Sequence, residues 1–204
     1  MIAAAAVVGG LRWQARGTPI QAGFWFDVES YGLSRASTSR LGGPLSDGEV
    51  ATIQRIARAE LAQAFAGLRI DISDRRDGFW RVQVLNALDG VAQSIYRGRP
   101  SGAGESISLG PLGGRGTVAF RELAEYAVDL APPGASRETM VEGIGRGIGR
   151  AAVHEFGHQI TGQANHDDSD IDSYEYPYSR RASQYYGELH WTLARGQLLA
   201  KLGK

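Results

Sequence analysis

Apolar positions along the chain fall first into short alternating runs and then into longer helical ones. Residues 20–28, Ile-Gln-Ala-Gly-Phe-Trp-Phe-Asp-Val, are rich in aromatic and β-branched side chains and predict a strand. Residues 29–45 carry Ser, Gly and Pro and predict a loop. Ser46-Asp47-Gly48-Glu49 has the form of a capping box. Behind it Val50, Ile53, Ile56, Ala57, Leu61, Ala64 and Phe65 recur at helical spacing as far as Gly67. Arg55, Arg58 and Glu60 fall on the face assigned to solvent. Residues 68–73 alternate and predict a second strand, 74–78 a polar turn, and 79–85 a third strand with period two.

The second half is punctuated by glycine. Residues 98–116 hold many glycines and no sustained period, which predicts a long mobile loop, of a length usually found to be functional or disordered. Thr117-Val118-Ala119-Phe120 restarts an extended segment that continues toward Tyr126–Val128. Pro132-Pro133-Gly134 stops it, and Ser136 opens a long helix. Gly143, Gly145, Gly147 and Gly149 alternate within that helix. They follow no strand directly and lack the acidic partner a ribose needs, so they predict close approach of helix to sheet rather than a nucleotide loop. Residues 182–199 predict a terminal amphipathic helix, with Tyr185, Leu189, Leu193 and Leu198 on its apolar side. There is no internal repeat, and the order of elements predicts one α+β domain over residues 1–204.

Composition narrows the function. The 204 residues are 43 % hydrophobic, enough for one sizeable core. Lys+Arg and Asp+Glu number 22 each, so no charge excess argues for nucleic acid or an anionic membrane as partner. No segment approaches the length of a membrane span. Cysteine is absent, which excludes a disulfide framework, a thiolate metal site and cysteine catalysis. The apolar run Met1–Leu11 reads as an apolar strand or tail, or as the remnant of a secretion signal without its positive n-region. A secreted or periplasmic location is slightly favoured over a cytoplasmic one.

The chemistry concentrates in Ala151-Ala152-Val153-His154-Glu155-Phe156-Gly157-His158-Gln159-Ile160, followed by His166. Histidines four apart share one helix face, so His154 and His158 can both reach one Zn²⁺ at about 2.0–2.1 Å. Glu155 leaves the helix beside them and can reach a water on the metal without ligating it, as a general base must. The uncharged neighbours Val153, Phe156, Gly157 and Ile160 suit a buried active-site helix. His166 is the first choice for a third ligand. Asp167, Asp168 and Asp170 are alternatives, as are Glu175, Glu188 and His190; Glu188 on a C-terminal helix would follow a thermolysin-like (gluzincin) pattern.

A helix ending in His-Glu-x-x-His, then a glycine, then a third histidine, resembles the metzincin metalloproteases. In that family the glycine lets the chain turn so that the third imidazole meets the same metal. Here Gly162 lies four residues after His158 and His166 four after Gly162, two residues longer in total than the family pattern. Asp167 matches the acidic residue some branches carry. The resemblance implies a twisted mixed sheet packed on two long helices, over about residues 12–162, and a small, mostly irregular and helical C-terminal subdomain over about 163–204. It implies an edge strand that pairs with an extended substrate, a role falling to Thr117, Val118, Ala119 and Phe120. It also implies zinc-dependent endopeptidase activity: Zn²⁺ on His154, His158 and His166, Glu155 taking the proton of the attacking water, and a peptide or protein substrate. The family's methionine turn is missing, since Met1 and Met140 both precede the motif. Residues 172–178 would occupy its place, with tyrosine where methionine is expected, and Tyr174, Tyr176 and Tyr178 are candidates for stabilising the transition state. A zinc-bearing module that binds without cutting is the alternative function.

Overall fold

Five strands form one mixed sheet in the order β2-β1-β3-β5-β4, with helices packed on it, in a computed structural model that describes residues 18–88, 103–163 and 166–203. The N-terminal apolar run and residues 98–102 of the glycine-rich stretch lie outside those residues. Strand β1 (Ile20–Phe26) lies inside the sheet, parallel to β2 (Ile70–Ser73) on one side and to the central β3 (Trp80–Leu85) on the other. Its near-continuous burial from Ala22 to Trp25 is what a parallel strand covered on both faces requires. In β3 the alternation is clean, with Trp80, Val82 and Val84 buried. Strand β5 (Gly114–Ala119) runs parallel to β3, and β4 (Gly104–Ser108) closes the edge antiparallel to β5.

Helix α1 (Arg35–Leu41) occupies part of the predicted 29–45 loop. Its sequence, Arg-Ala-Ser-Thr-Ser-Arg-Leu, is too short and polar to show a period. It is set instead by its ends, a Ser34 side chain that accepts from the Ser37 N–H and a left-handed Gly42 at φ 79°. Helix α2 (Asp47–Ala64) begins at the predicted capping box, with both reciprocal bonds between Ser46 and Glu49 present. Glu60 corrects the expectation for this helix. It is buried rather than solvated, because it meets Arg150 of the long helix.

The stretch after β5 also departs from expectation. Thr117–Ala119 lie in β5, inside the sheet between β3 and β4, and Phe120 starts helix α3 (Phe120–Asp129). The edge position belongs to β4, within the segment expected to be a mobile loop; a 3-10 turn over Gly110–Leu112 links it to β5. Glycine hides both strands from a periodicity reading. A Cβ on Gly104 would fall 2.5 Å from Glu155 Oε1, and one on Gly114 would strike the Gln159 side chain. The helix supplies from above the side chains that the strands leave out.

That helix is α4 (Arg137–Thr161), packed on α2 and crossing β3, β5 and β4. Its alternating glycines do not face the sheet. Gly145 and Gly149 admit α2, where added Cβ atoms would come within 2.8 Å of Ile56 Cβ and 2.6 Å of the Ala57 carbonyl. Gly143 and Gly147 admit the Tyr186 and Tyr185 rings of α5 (Ser183–Tyr186). The predicted terminal helix is two short ones, α5 and α6 (Arg195–Leu202), separated by an irregular stretch at 187–194. One core joins Phe24, Val82 and Val118 of the sheet to Ile53 and Leu61 of α2 and Ile144, Ile148 and Phe156 of α4. Among the described residues no helix is long and apolar enough to cross a membrane.

At the start of α4, Arg137 is bonded through Nη2 to Glu49 Oε2 at 2.8 Å and reaches the Leu41 and Pro44 carbonyls, tying the α1–α2 connection to α4. This holds the Glu49 carboxyl at about 2, mainly through the Arg137 hydrogen bonds, against an ordinary 4.5. A carboxyl depressed on folding stabilises above its unfolded value, and that contribution is lost as pH falls from 4.5 toward 2. Glu49→Gln should therefore lower the urea midpoint at neutral pH, with the gap to wild type closing across that acid window. A gap independent of pH would refute the linkage.

Candidate metal centre

The last two turns of α4 place His154 and His158 on one face, their ring centroids 4.4 Å apart. The helix stops at Thr161 because Gly162 takes the left-handed conformation at φ 70°, donating to the His158 carbonyl at 2.9 Å. Beyond that glycine, the His166 ring lies near the other two, with centroids 5.4 Å from His154 and 5.0 Å from His158. The two extra residues relative to the metzincin spacing do not prevent that approach.

The hydrogen bonds of the rings fix which nitrogens face inward. His154 Nδ1 donates to the Tyr174 carbonyl at 2.7 Å, and His158 Nδ1 to the Gln163 carbonyl at 3.0 Å. A carbonyl only accepts, so each Nδ1 carries the proton and each Nε2 presents a lone pair. Those Nε2 atoms lie 2.9 Å apart, and His166 Nε2 is 3.2 Å from that of His158. Lone pairs converging without a proton between them repel, and a cation at their focus removes the repulsion. The histidines can thus hold a metal ion, and their backbone acceptors are the outer contacts that orient metal-ligating imidazoles. Desolvation, aided by repulsion from the neighbouring imidazoles, holds His154 at about 3 and lowers His158, and desolvation alone lowers His166. All three are kept in the neutral form that ligates. Among the described residues no other set of His, Asp or Glu side chains converges in this way.

Glu155 points from the same turn toward β4. Its side chain is buried against Gly104, and Oε2 has no protein hydrogen-bond partner. Burial, reinforced by Glu105 and opposed by the Ser106 hydroxyl, raises its carboxyl to about 8. A buried carboxylate oxygen without a donor is costly, and such atoms concentrate where a water or substrate completes the set. The histidine cluster does not include Glu155, whose carboxyl is turned toward β4 instead.

The other candidate ligands are engaged elsewhere. Asp167 Oδ1 accepts from the Ser169 N–H at 3.0 Å and hydroxyl at 2.6 Å, folding the chain just beyond His166. Asp170 pairs with His190 Nε2 at 2.9 Å, which accounts for the fourth histidine. Glu188 is exposed in the irregular stretch between α5 and α6, not on a helix that could aim it at the site. Asp168 is exposed and acts on His166 only through its charge. Glu175 is buried and fully engaged by other donors. None of these joins the histidine cluster.

The three tyrosines separate. The Tyr174 ring is in the core, 5.1 Å from Trp191, and what this residue presents to the site is its carbonyl. Tyr176 lies beneath the Arg181 guanidinium, 4.7 Å from ring centre to Cζ, and its ring packs at 5.7 Å on that of Tyr178, which is half exposed. In the turn expected to replace the methionine, the residues sealed in the interior are Ser173, Tyr174 and Glu175.

Gln159 escaped the sequence reading. Its amide pairs with the Arg81 backbone, accepting from N–H at 3.3 Å and donating to C=O at 3.1 Å. It thereby locks the metal-site helix to β3. The available signal was its place four residues after Glu155, on the same face of α4. No protein-family model matches this chain, and no curated protein shows significant similarity to it.

Proposed function

We propose that this protein is a zinc-dependent endopeptidase of metzincin-like architecture, with His154, His158 and His166 as ligands and Glu155 as general base. The observation that carries the reading is the convergence of three Nε2 atoms, two of them with lone pairs aimed by Nδ1–H···O=C bonds, next to a buried carboxyl with a free oxygen. The donor set fits Zn²⁺, which takes imidazole nitrogen readily and keeps an open position when only three protein ligands are present. When bound, the ion supplies Lewis acidity to water and to a carbonyl oxygen. Glu155 takes the proton of the attacking water and returns it to the leaving amine. Strand β4, antiparallel beside Glu155 and at the sheet edge among the described residues, would offer its outer backbone groups to an extended peptide. This is the role first given to Thr117–Phe120.

Three measurements test the proposal. Elemental analysis of the purified protein should find zinc near one equivalent. A peptide-library digest should show cleavage that stops with chelator and returns with zinc; zinc without cleavage would point to the non-cutting module. Because an ion that binds only the folded state stabilises it, zinc at about 1,000 times its Kd should add about 4 kcal/mol. For a chain of this size that raises Tm by roughly 8–16 °C. A Tm unmoved by zinc would sink the metal assignment.

A further inference from the structure

We propose that Glu175 is the positioning residue of the metal centre, its carboxylate holding one turn that sets two of the three histidines. The proposal rests on the metal-site reading above.

The Glu175 side chain is almost wholly buried and accepts donors on both oxygens. Oε2 takes the Ser173 hydroxyl at 2.9 Å, the Thr192 N–H at 2.8 Å and the Thr192 hydroxyl at 3.0 Å, and Oε1 takes the Ala194 N–H. These bonds clamp residues 173–175 onto residues 192–194. The second segment is itself anchored by Trp191, whose Nε1 donates to the Ala64 carbonyl at 2.8 Å. Two backbone bonds extend the clamp, from Tyr174 N–H to the His190 carbonyl at 2.9 Å and from His190 N–H to that of Asp172 at 3.1 Å.

The clamped turn contributes two consecutive carbonyls to the site. Tyr174 C=O accepts from His154 Nδ1, and Glu175 C=O accepts from the Asp167 N–H at 3.1 Å, the peptide that follows His166. His154 comes from α4 and His166 from the segment after Gly162, so nothing in their local sequence sets their separation. One turn with a fixed floor does.

Glu175→Gln isolates this role. The amide keeps the shape, but its NH₂ must face donors that now lack an acceptor. Zn²⁺ affinity, measured by competition with a chromogenic chelator, should weaken by about 10–100-fold, as when outer contacts of a metal site are removed. The visible bands of the Co²⁺-substituted protein should shift or lose intensity, a readout that simple loss of stability does not move. Glu49→Gln, remote from the metal, is the control and should leave both unchanged. Should Glu175→Gln not fold, Ser173→Ala and Thr192→Val each remove one hydroxyl donor, and each should weaken zinc binding by roughly 3–10-fold on the same reasoning. Affinity within twofold of wild type and an unaltered Co²⁺ spectrum, in Glu175→Gln or in both substitutes, overturn the proposal. Failure of the wild type to bind zinc through its histidines instead overturns the metal reading beneath it.

Discussion

Glu155→Gln should lower kcat/KM by roughly 10²–10⁴-fold, the usual contribution of a positioned general base, while zinc stays bound. The reason is the division of labour on one helical turn. In the proposed centre ligation falls to the Nε2 atoms of His154, His158 and His166, whereas Glu155 is aimed at β4, where a Cβ on Gly104 would nearly touch it. Glutamine fills the same volume, so the recess and the imidazoles should not move. What disappears is the proton acceptor. The same substitution should raise the Tm of the metal-free protein, because it replaces a buried carboxyl whose ionised form is heavily desolvated and whose Oε2 lacks a partner. Opposite signs for stability and turnover mark a residue kept for chemistry at a cost to folding. His154→Ala separates the cases by losing both zinc and activity. Full peptidase activity in Glu155→Gln would refute the proton-transfer role.

The parts of the molecule that were legible in the sequence are those whose pattern is local. The capping box at Ser46 and Glu49, the alternation in β3, and the i, i+4 histidines of α4 need only neighbours along the chain to be seen. The glycine-rich edge was illegible because β4 and β5 delegate their packing to Glu155 and Gln159, which descend from α4 into the places their Cβ atoms would fill. A strand without side chains on its covered face has no hydrophobic period. The same exchange misassigned the helical glycines, which make room for α2 and two tyrosines rather than for the sheet. The choice among third ligands was open because eight His, Asp or Glu residues follow the motif, and only the folded chain shows that Asp167, Asp170, His190 and Glu175 spend their hydrogen bonds elsewhere. Glu60 and Glu175 share a lesson. A charged residue at a helical or loop position reads as solvated until a partner far away in sequence is known.

Glu60→Ala should cost about 3–5 kcal/mol, the largest stability loss expected of a single substitution here, because it strands the charge of Arg150 in the core. The pair is nearly sealed, with side chains 7 % and 10 % exposed and Arg150 Nε 2.7 Å from Glu60 Oε2. Arg150 Nη1 also donates to the Ser183 carbonyl at 2.8 Å and to that of Gln184 at 3.2 Å, so one guanidinium joins α2, α4 and α5. The neighbouring glycine leaves no space for rearrangement, since a Cβ at Gly149 would already lie 2.8 Å from Glu60 Cβ. For a chain of this length the loss corresponds to a Tm lower by roughly 6–20 °C. The double variant Glu60→Leu, Arg150→Met should recover much of it, because removing both charges also removes the desolvation that the pair must offset. Arg150 stands one helical turn before His154, on the segment that carries the ligands. In Glu60→Ala the zinc-dependent gain in Tm should therefore persist but start from a lower base, since the His154 and His158 rings are oriented by the Tyr174 and Gln163 carbonyls rather than by the Glu60–Arg150 pair. A single-substitution cost below about 1 kcal/mol by urea unfolding would mean that water reaches the guanidinium and that this junction is not sealed.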